Sequence, residues 1–280
     1  MGETRRVAEG LVFGEGLRWR EGRLYLSDLH DRRVLALGPE GGFQEIARVE
    51  ARPSGLGWLP DGRLLVVSMR DRCLLRLEPG GLVLHADLSG LASFDCNDMV
   101  VGPTGRAYVG NFGFDLFAGL EQRPAELVAV EPDGRARVVA TDLAFPNGVV
   151  LTPDGRTLVV AESFAARLTA FDVSDDGDLS RRRVWAEIEG MVPDGIALDA
   201  EGAIWVTSPA TGELLRVHEG GRVSARVRPS QSPYACALGG PGRRTLYVAT
   251  APSHQPEEAL ARRAGCIEAL EAAAPGAGWP

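Results

Sequence analysis

The amino-acid sequence predicts an all-β fold, a six-bladed β-propeller with a metal site at its centre, on three observations. First, a unit consisting of an apolar run, a Gly-bearing turn and a second apolar run occurs six times. The copies are residues 15–28 (EGLRWREGRLYLSD), 54–68, 97–111, 147–163, 194–208 and, more loosely, 235–250. Second, the turn glycines Gly22, Gly62, Gly105, Gly155, Gly202 and Gly242 are spaced by 40, 43, 50, 47 and 40 residues, the period of a propeller blade. Third, the 35 glycines and 18 prolines fall mostly between apolar runs, as many short strands joined by turns require.

Each copy supplies the first two strands of a blade. The outer strands come from six further runs, each close to a second turn: RRVLALGPEGG, CLLRLEPGG, ELVAVEPDGRARVVA, RLTAFDVSDDGDLSRRRVWA, ELLRVHEGGRVSARV and GCIEALEAAAPG. Residues 5–13 (RRVAEGLVF) precede the first copy and are expected to add a strand to the last blade, closing the ring. A linear solenoid is the competing arrangement, but its end repeats need polar caps that this chain lacks. Because the repeat runs nearly end to end, residues 1–280 are expected to form one domain.

Composition narrows the partners. The formal charge is -8, the pI is about 5.2, and the longest basic run is Arg181-Arg182-Arg183, so a nucleic-acid partner is not expected. No apolar stretch is long enough to span a bilayer and the N-terminus lacks a signal-peptide core, so a soluble, cytoplasmic protein is expected, as a monomer or weak homodimer. Cys73, Cys96, Cys236 and Cys266 are scattered without metal-ligand or disulfide spacing and read as reduced thiols.

The chemistry lies in the register of the repeats. Eight residues before four of the turn glycines stand Ser54, Asn97, Asn147 and Asp194, and seven before the first stands Glu15; in the sixth unit the place falls to Tyr234 or Ala235. First strands of propeller blades line the central channel, so residues in equal register converge on the axis. Two carboxylates crowded with two amides repel one another and resist desolvation unless a cation sits among them. Hard oxygen donors without thiolate or imidazole suit Ca²⁺ above Zn²⁺, Mn²⁺, Mg²⁺ or Fe²⁺. Asn147-Gly148 and Asp194-Gly195, each after a proline, are also ordinary turn pairs, but turn chemistry gives no reason for a shared offset that includes Glu15. The predicted ligands are therefore Glu15, Asn97, Asn147 and Asp194.

At these residues the chain resembles the SMP-30, gluconolactonase and LRE family of six-bladed propeller lactonases, and more distantly diisopropylfluorophosphatase and paraoxonase. The resemblance is carried by GEGLRW around Glu15, CNDMVVGPTGRAYVGN around Asn97, FPNGVVLTPDGRTLVVAES around Asn147, VPDGIALDAEGAIWV around Asp194, and the closing ALGGPGRRTLYVAT. It implies a hydrolase that opens a small lactone with one divalent ion. Glu15, Asn147 and Asp194 are then direct ligands, Asn97 is a fourth ligand or holds substrate or water, and Asp194 doubles as general base. Direct attack by Asp194 to give an acyl-enzyme is an alternative in the same site. Family members that act on sugar lactones place an Arg two residues before the Asn, where this chain has Asp95.

The long segment 111–127 carries Phe112, Phe114 and Phe117, which suit either a lid favouring a less polar ring or ordinary core packing. Asn97, Phe112, Phe114 and Glu162 are the candidate substrate contacts. Asp28, Glu162, Ser163, Ser208 and Thr250 end second strands on the same rim and read mainly as strand caps. Asp98 is expected to brace the loop of Asn97, and His30, His85, His218 and His254 to be solvated surface residues. Two rival functions share the site: a phosphotriester or aryl ester hydrolase, and a scaffold whose ion is purely structural.

Overall fold

The computed structural model describes residues 3–38 and 41–279; Pro39 and Glu40, within a turn predicted for the first blade, lie outside the described residues. Six four-stranded antiparallel sheets follow one another around a central channel. Blade one contains Gly14–Arg20, Arg23–Asp28, Arg33–Leu37 and Phe43–Arg48. Blade two contains Pro53–Trp58, Leu64–Ser68, Cys73–Glu78 and Gly81–Asp87. Blade three contains Cys96–Val101, Ala107–Asn111, Ala125–Val130 and Ala136–Leu143. Blade four contains Pro146–Leu151, Thr157–Glu162, Arg167–Val173 and Leu179–Glu187. Blade five contains Ile196–Leu198, Ile204–Ser208, Glu213–Val217 and Val223–Val227. Blade six contains Ser232–Gly239, Thr245–Ala251 and Gly265–Glu271, and its outer strand is Arg5–Leu11 from the opposite end of the chain.

That last pairing closes the ring as the sequence predicts. Arg5 lies opposite Ala269 and Leu11 opposite Gly265, and Thr4 Oγ1 donates to Glu268 Oε2 at 2.5 Å. The six turn glycines all adopt positive φ, from 61° at Gly242 to 88° at Gly62, which explains why glycine recurs at that place in every copy.

Inner strands are largely buried on both faces because each blade packs between two others. All six residues of Pro53–Trp58 and of Cys96–Val101 are buried. Val34 of blade one, for example, joins Leu56, Trp58 and Val66 of blade two in one cluster. Fourth strands face solvent, so Leu179–Glu187 is mostly exposed and rich in Arg. One α-helix among the described residues, Pro256–Arg262, departs from the all-strand expectation; it lies between the second and third strands of blade six. Pro256 at its start, Glu257 and Glu258 in its first turn and Arg262 in its last are ordinary helix-end signals. The four cysteines are free and buried.

Candidate functional site

The inner strands are not regular at the register that matters. Their pairing to the second strand slips between Glu15 and Arg18, Pro53 and Leu56, Cys96 and Met99, Pro146 and Val149, and Pro233 and Ala235. A bulge bends a strand and re-aims a side chain, and here it includes Ser54, Asn97, Asn147 and Tyr234 and begins directly after Glu15. In blade five Asp194 and Gly195 precede the regular strand and are held by Thr207, whose N–H donates to Gly195 O and whose carbonyl accepts from Asp194 N, both at 3.0 Å.

Glycines beside these residues let neighbouring blades close up. Gly148 N donates to Asp194 O at 3.1 Å, and Gly195 N donates to Tyr234 O at 2.8 Å. A Cβ on Gly148 would sit 2.6 Å from Asp194 O and from Ile196 N, so the space is already filled by backbone. Asn147-Gly148 and Asp194-Gly195 are thus junctions between blades rather than turns.

Glu15, Asn97, Asn147 and Asp194 line one cavity of about 530 Å³ at the end of the channel. Ser54 is buried behind them, where its hydroxyl donates to Asn97 Oδ1 at 3.4 Å while Asn97 Nδ2 donates to Pro146 O at 3.3 Å. Asn147 Nδ2 donates to Ser163 Oγ at 3.2 Å, and Ser163 Oγ donates to Pro193 O at 2.6 Å. This orients the Asn147 amide with its oxygen unspent. Tyr234 occupies the sixth place in the ring and Ala235 turns into the core.

Burial raises the carboxyl pKa of Glu15 well above the usual range, and the charges of Asp194 and Asp98 raise it further. Burial likewise raises Asp194, with Asp98 adding to it and a hydrogen bond from Asn147 opposing it. No Arg or Lys lines the cavity to balance them. Deeper in the channel Arg18 Nη2 donates to Asp98 Oδ1 at 2.7 Å and to Met99 O, and Arg18 Nη1 donates to Leu17 O at 2.8 Å. Asp98 also accepts from Met99 N at 2.8 Å, so it is committed to bracing its strand, as expected. Among the described residues no group of three His, Cys, Asp or Glu is gathered as a metal cluster. The donor set is instead two carboxylates with two amides, all oxygen, and their uncompensated charge fits a divalent cation.

Several sequence expectations need correction. Glu162 is fully buried away from the cavity, accepting from Ala144 N at 2.8 Å and Arg167 Nε at 2.9 Å, and from Thr169 Oγ1. Burial pushes its pKa up, but Arg167, Thr169 and the Ala144 N–H outweigh that and hold it below the usual range. It is an internal counter-ion and not a substrate contact. Phe114 packs behind the wall, 5.9 Å from Phe145 and 5.8 Å from Phe164 between ring centres, whereas Phe112 and Phe117 line the cavity. Asp28 and Ser208 are caps as expected, accepting from Val12 N and Phe13 N, and from Val192 N.

His30 is not a solvated surface residue, since it is buried and lines the cavity, whereas His254 is exposed, as expected, and borders the same cavity. His30 is buried beside Phe13, its Nε2 donates to His254 O at 3.0 Å, and burial lowers its pKa to about 4. A register signal for these wall residues exists in the sequence. Leu29 and His30, Phe112, Ser163 and Phe164, Pro209 and Ala210, and Pro252 and Ser253 all stand just past the end of a second strand.

The comparisons with known proteins can be set against this geometry. The family model for the SMP-30/gluconolactonase/LRE-like region matches residues 13–252, which span all six blades. The chain belongs to the SMP-30/gluconolactonase/LRE-like family. Within that family it is 28% identical to a 6-deoxy-6-sulfogluconolactonase from Pseudomonas putida, covering 100% of this chain and 99% of the relative. It is 25% identical to regucalcin from Oryctolagus cuniculus, over 92% of this chain and 89% of that one. Among solved folds it resembles a calcium-binding regucalcin from Agrobacterium tumefaciens, with a TM-score of 0.81, 23% identity and coverage of 98% and 94%. A gluconolactonase from Xanthomonas campestris superposes with a TM-score of 0.77, 23% identity and coverage of 96% and 90%. No helix among the described residues is long and apolar enough to cross a membrane.

Proposed function

We propose that this protein is a divalent-metal-dependent lactonase, with Glu15, Asn97, Asn147 and Asp194 as the metal ligands, Ca²⁺ as the preferred ion and Asp194 as general base. The observation that carries the reading is the cavity itself, where side chains from four blades bring two uncompensated carboxylates and two amide oxygens together. Family membership supports the reaction class, and the names of the lactonase and calcium-binding relatives support substrate and metal. Glu15, Asn97, Asn147 and Asp194 would hold the divalent ion, which would supply Lewis-acid polarisation of a lactone carbonyl.

The chain's own residues do the rest. Asp194 is buried, faces the cavity and is anchored through its backbone to Thr207, so its carboxylate is presented in a fixed place to accept a proton from water. Asn147 is held by Ser163, and Asn97 by Ser54 and Pro146 O, so neither amide must reorganise when substrate enters. The surrounding apolar wall keeps bulk water from the ester. Nothing in the cavity favours the phosphotriesterase or scaffold alternatives over this reading.

The test is Asp194→Asn in metal-loaded protein. The variant should keep its fold and bind the cation more weakly, while kcat/KM for lactones drops by about 10²–10⁴, the usual worth of a positioned general base. Full turnover in the variant would remove Asp194 from that role, and full turnover of the parent protein after exhaustive chelation would end the metal-dependent reading.

A further inference from the structure

The wall of the cavity points to its substrate. Two residues before each position of the axial ring stand Phe13, Arg52, Asp95, Phe145, Val192 and Ser232, in blades one to six. Four of them line the cavity; the two charged ones, Arg52 and Asp95, do not. The loop after the second strand of blade three lies over this sector. It places Phe117 with its ring centre 5.6 Å from the Arg52 guanidinium and fixes Phe112 by an N–H bond to Asp95 O at 2.9 Å. The loop therefore sets an aromatic ring over Arg52 and is tied to the backbone of Asp95. Phe112 stacks on Phe145 at 4.4 Å, Phe145 meets Phe164 edge-on at 5.1 Å, and Phe13 meets Tyr234 edge-on at 4.6 Å on the other side.

Several polar groups of the wall are spent on the protein itself, and the buried Nδ1 of His30 is the exception, without a partner among the described residues. Ser163 bonds to Pro193 O and Asn147, Ser253 Oγ accepts from Gln255 N, and His30 Nε2 donates to the backbone of His254. His30 titrates far below neutrality and burial lowers His254 as well, so neither histidine adds a cation to the wall near pH 7. A ring bearing several hydroxyls, or an anionic group, would leave water for a mostly aromatic wall; with Nε2 donating, His30 Nδ1 can accept from one hydroxyl, too few to replace a hydroxylated ring's bonds to water and no partner for an anion.

Resting on the lactonase reading above, we infer that the substrate is an uncharged lactone with an aryl or alkyl substituent, which lies between Phe112, Phe117, Phe145 and Phe164. Polyhydroxylated and anionic sugar lactones are disfavoured. The test measures kcat/KM for the Ca²⁺-loaded protein on dihydrocoumarin, γ-nonanoic lactone, glucono-1,5-lactone and 6-phosphogluconolactone by pH indicator.

The two apolar lactones should exceed gluconolactone by at least about tenfold, mainly through KM, and the phosphorylated lactone should be the poorest. In Phe117→Ala, which uncovers Arg52, the apolar-to-phosphorylated ratio should fall at least about fivefold. If either sugar lactone matches the apolar ones, or Phe117→Ala leaves the ratio unchanged, the substrate class is wrong while the lactonase reading stands. If none of the four is hydrolysed, the lactonase reading fails, and this inference with it.

Discussion

Arg18 and Asp98 show what the channel asks of single residues. The pair is almost fully buried, and removing one partner leaves the other charged in a medium that cannot solvate it. Arg18→Met should therefore cost about 3–5 kcal/mol in urea unfolding, whereas Arg18→Met with Asp98→Leu should recover at least half of that loss. A double variant no more stable than the single one would mean that Asp98 is satisfied without Arg18. Glu15 and Asp194 differ because, among the described residues, neither forms an ion pair, and Arg18 eases Glu15 by less than burial and the charges of Asp194 and Asp98 oppose it. Since burial raises both of their pKa values, the folded protein holds their protons more tightly than the unfolded chain does. The metal-free fold then loses stability as pH rises from about 4, the unfolded carboxyl value, through the raised folded values. A cation binds only the ionised pair, so the Ca²⁺-induced rise in melting temperature should be larger at about pH 8 than at about pH 5. Equal rises at both pH values would place the bound ion elsewhere. The four proposed ligands, Glu15, Asn97, Asn147 and Asp194, were readable from the sequence because an offset of seven or eight residues from a turn glycine survives in a one-dimensional string. The burial of His30 was not, because it comes from Phe13, in the link between Arg5–Leu11 and Gly14–Arg20, and from His254, more than 200 residues away.

At the scale of a strand, the same glycine can answer two different demands. Gly22 has φ of 79° and open space around it, whereas Gly148 has no positive φ and is pressed against the backbone of the next blade. Gly22→Ala should cost about 1 kcal/mol of left-handed strain and leave kcat/KM unaltered. Gly148→Ala must displace the Asp194 segment, so it should lose about 1–3 kcal/mol and also weaken Ca²⁺ binding. Melting temperatures with and without Ca²⁺ separate the two, and a Gly148→Ala protein that binds Ca²⁺ as before would show that the junction tolerates movement. Strand positions followed from alternating apolar runs and turn glycines, and the observed bulges explain why the ligand residues escape simple alternation. Alternation alone turns Asn97 and Asp98 to opposite faces. The slip between Cys96 and Met99 instead brings both towards the channel, Asn97 to the cavity and Asp98 to Arg18 below it. The helix Pro256–Arg262 shows the opposite failure, since its end signals were present but sat between two strand-like runs of a chain read as uniformly β.

The ring as a whole depends on seven residues from the start of the chain. Arg5–Leu11 covers the outer edge of Gly265–Glu271, and its Leu11 is completely buried. Closing a propeller this way ties the first blade to the last, so loss of the strand is felt by the channel and not only by blade six. Burying one leucine contributes about 1.5–3 kcal/mol and each ladder bond about 0.5–1.5 kcal/mol, so the strand is worth on the order of 5 kcal/mol. That is comparable with the whole margin of about 5–15 kcal/mol by which such domains are folded. A chain lacking residues 1–11 should therefore melt well below the full-length protein, and its bared strand edge should drive association that size-exclusion chromatography detects. Because the cavity draws on blade six itself, through Ser232, Tyr234 and Ser253, and on blade one beside it, Ca²⁺ should raise the truncated protein's melting temperature less than the parent's. Unchanged melting, monomeric elution and a full Ca²⁺ response would mean that three strands suffice for blade six and that the ring is held by face-to-face packing between blades alone.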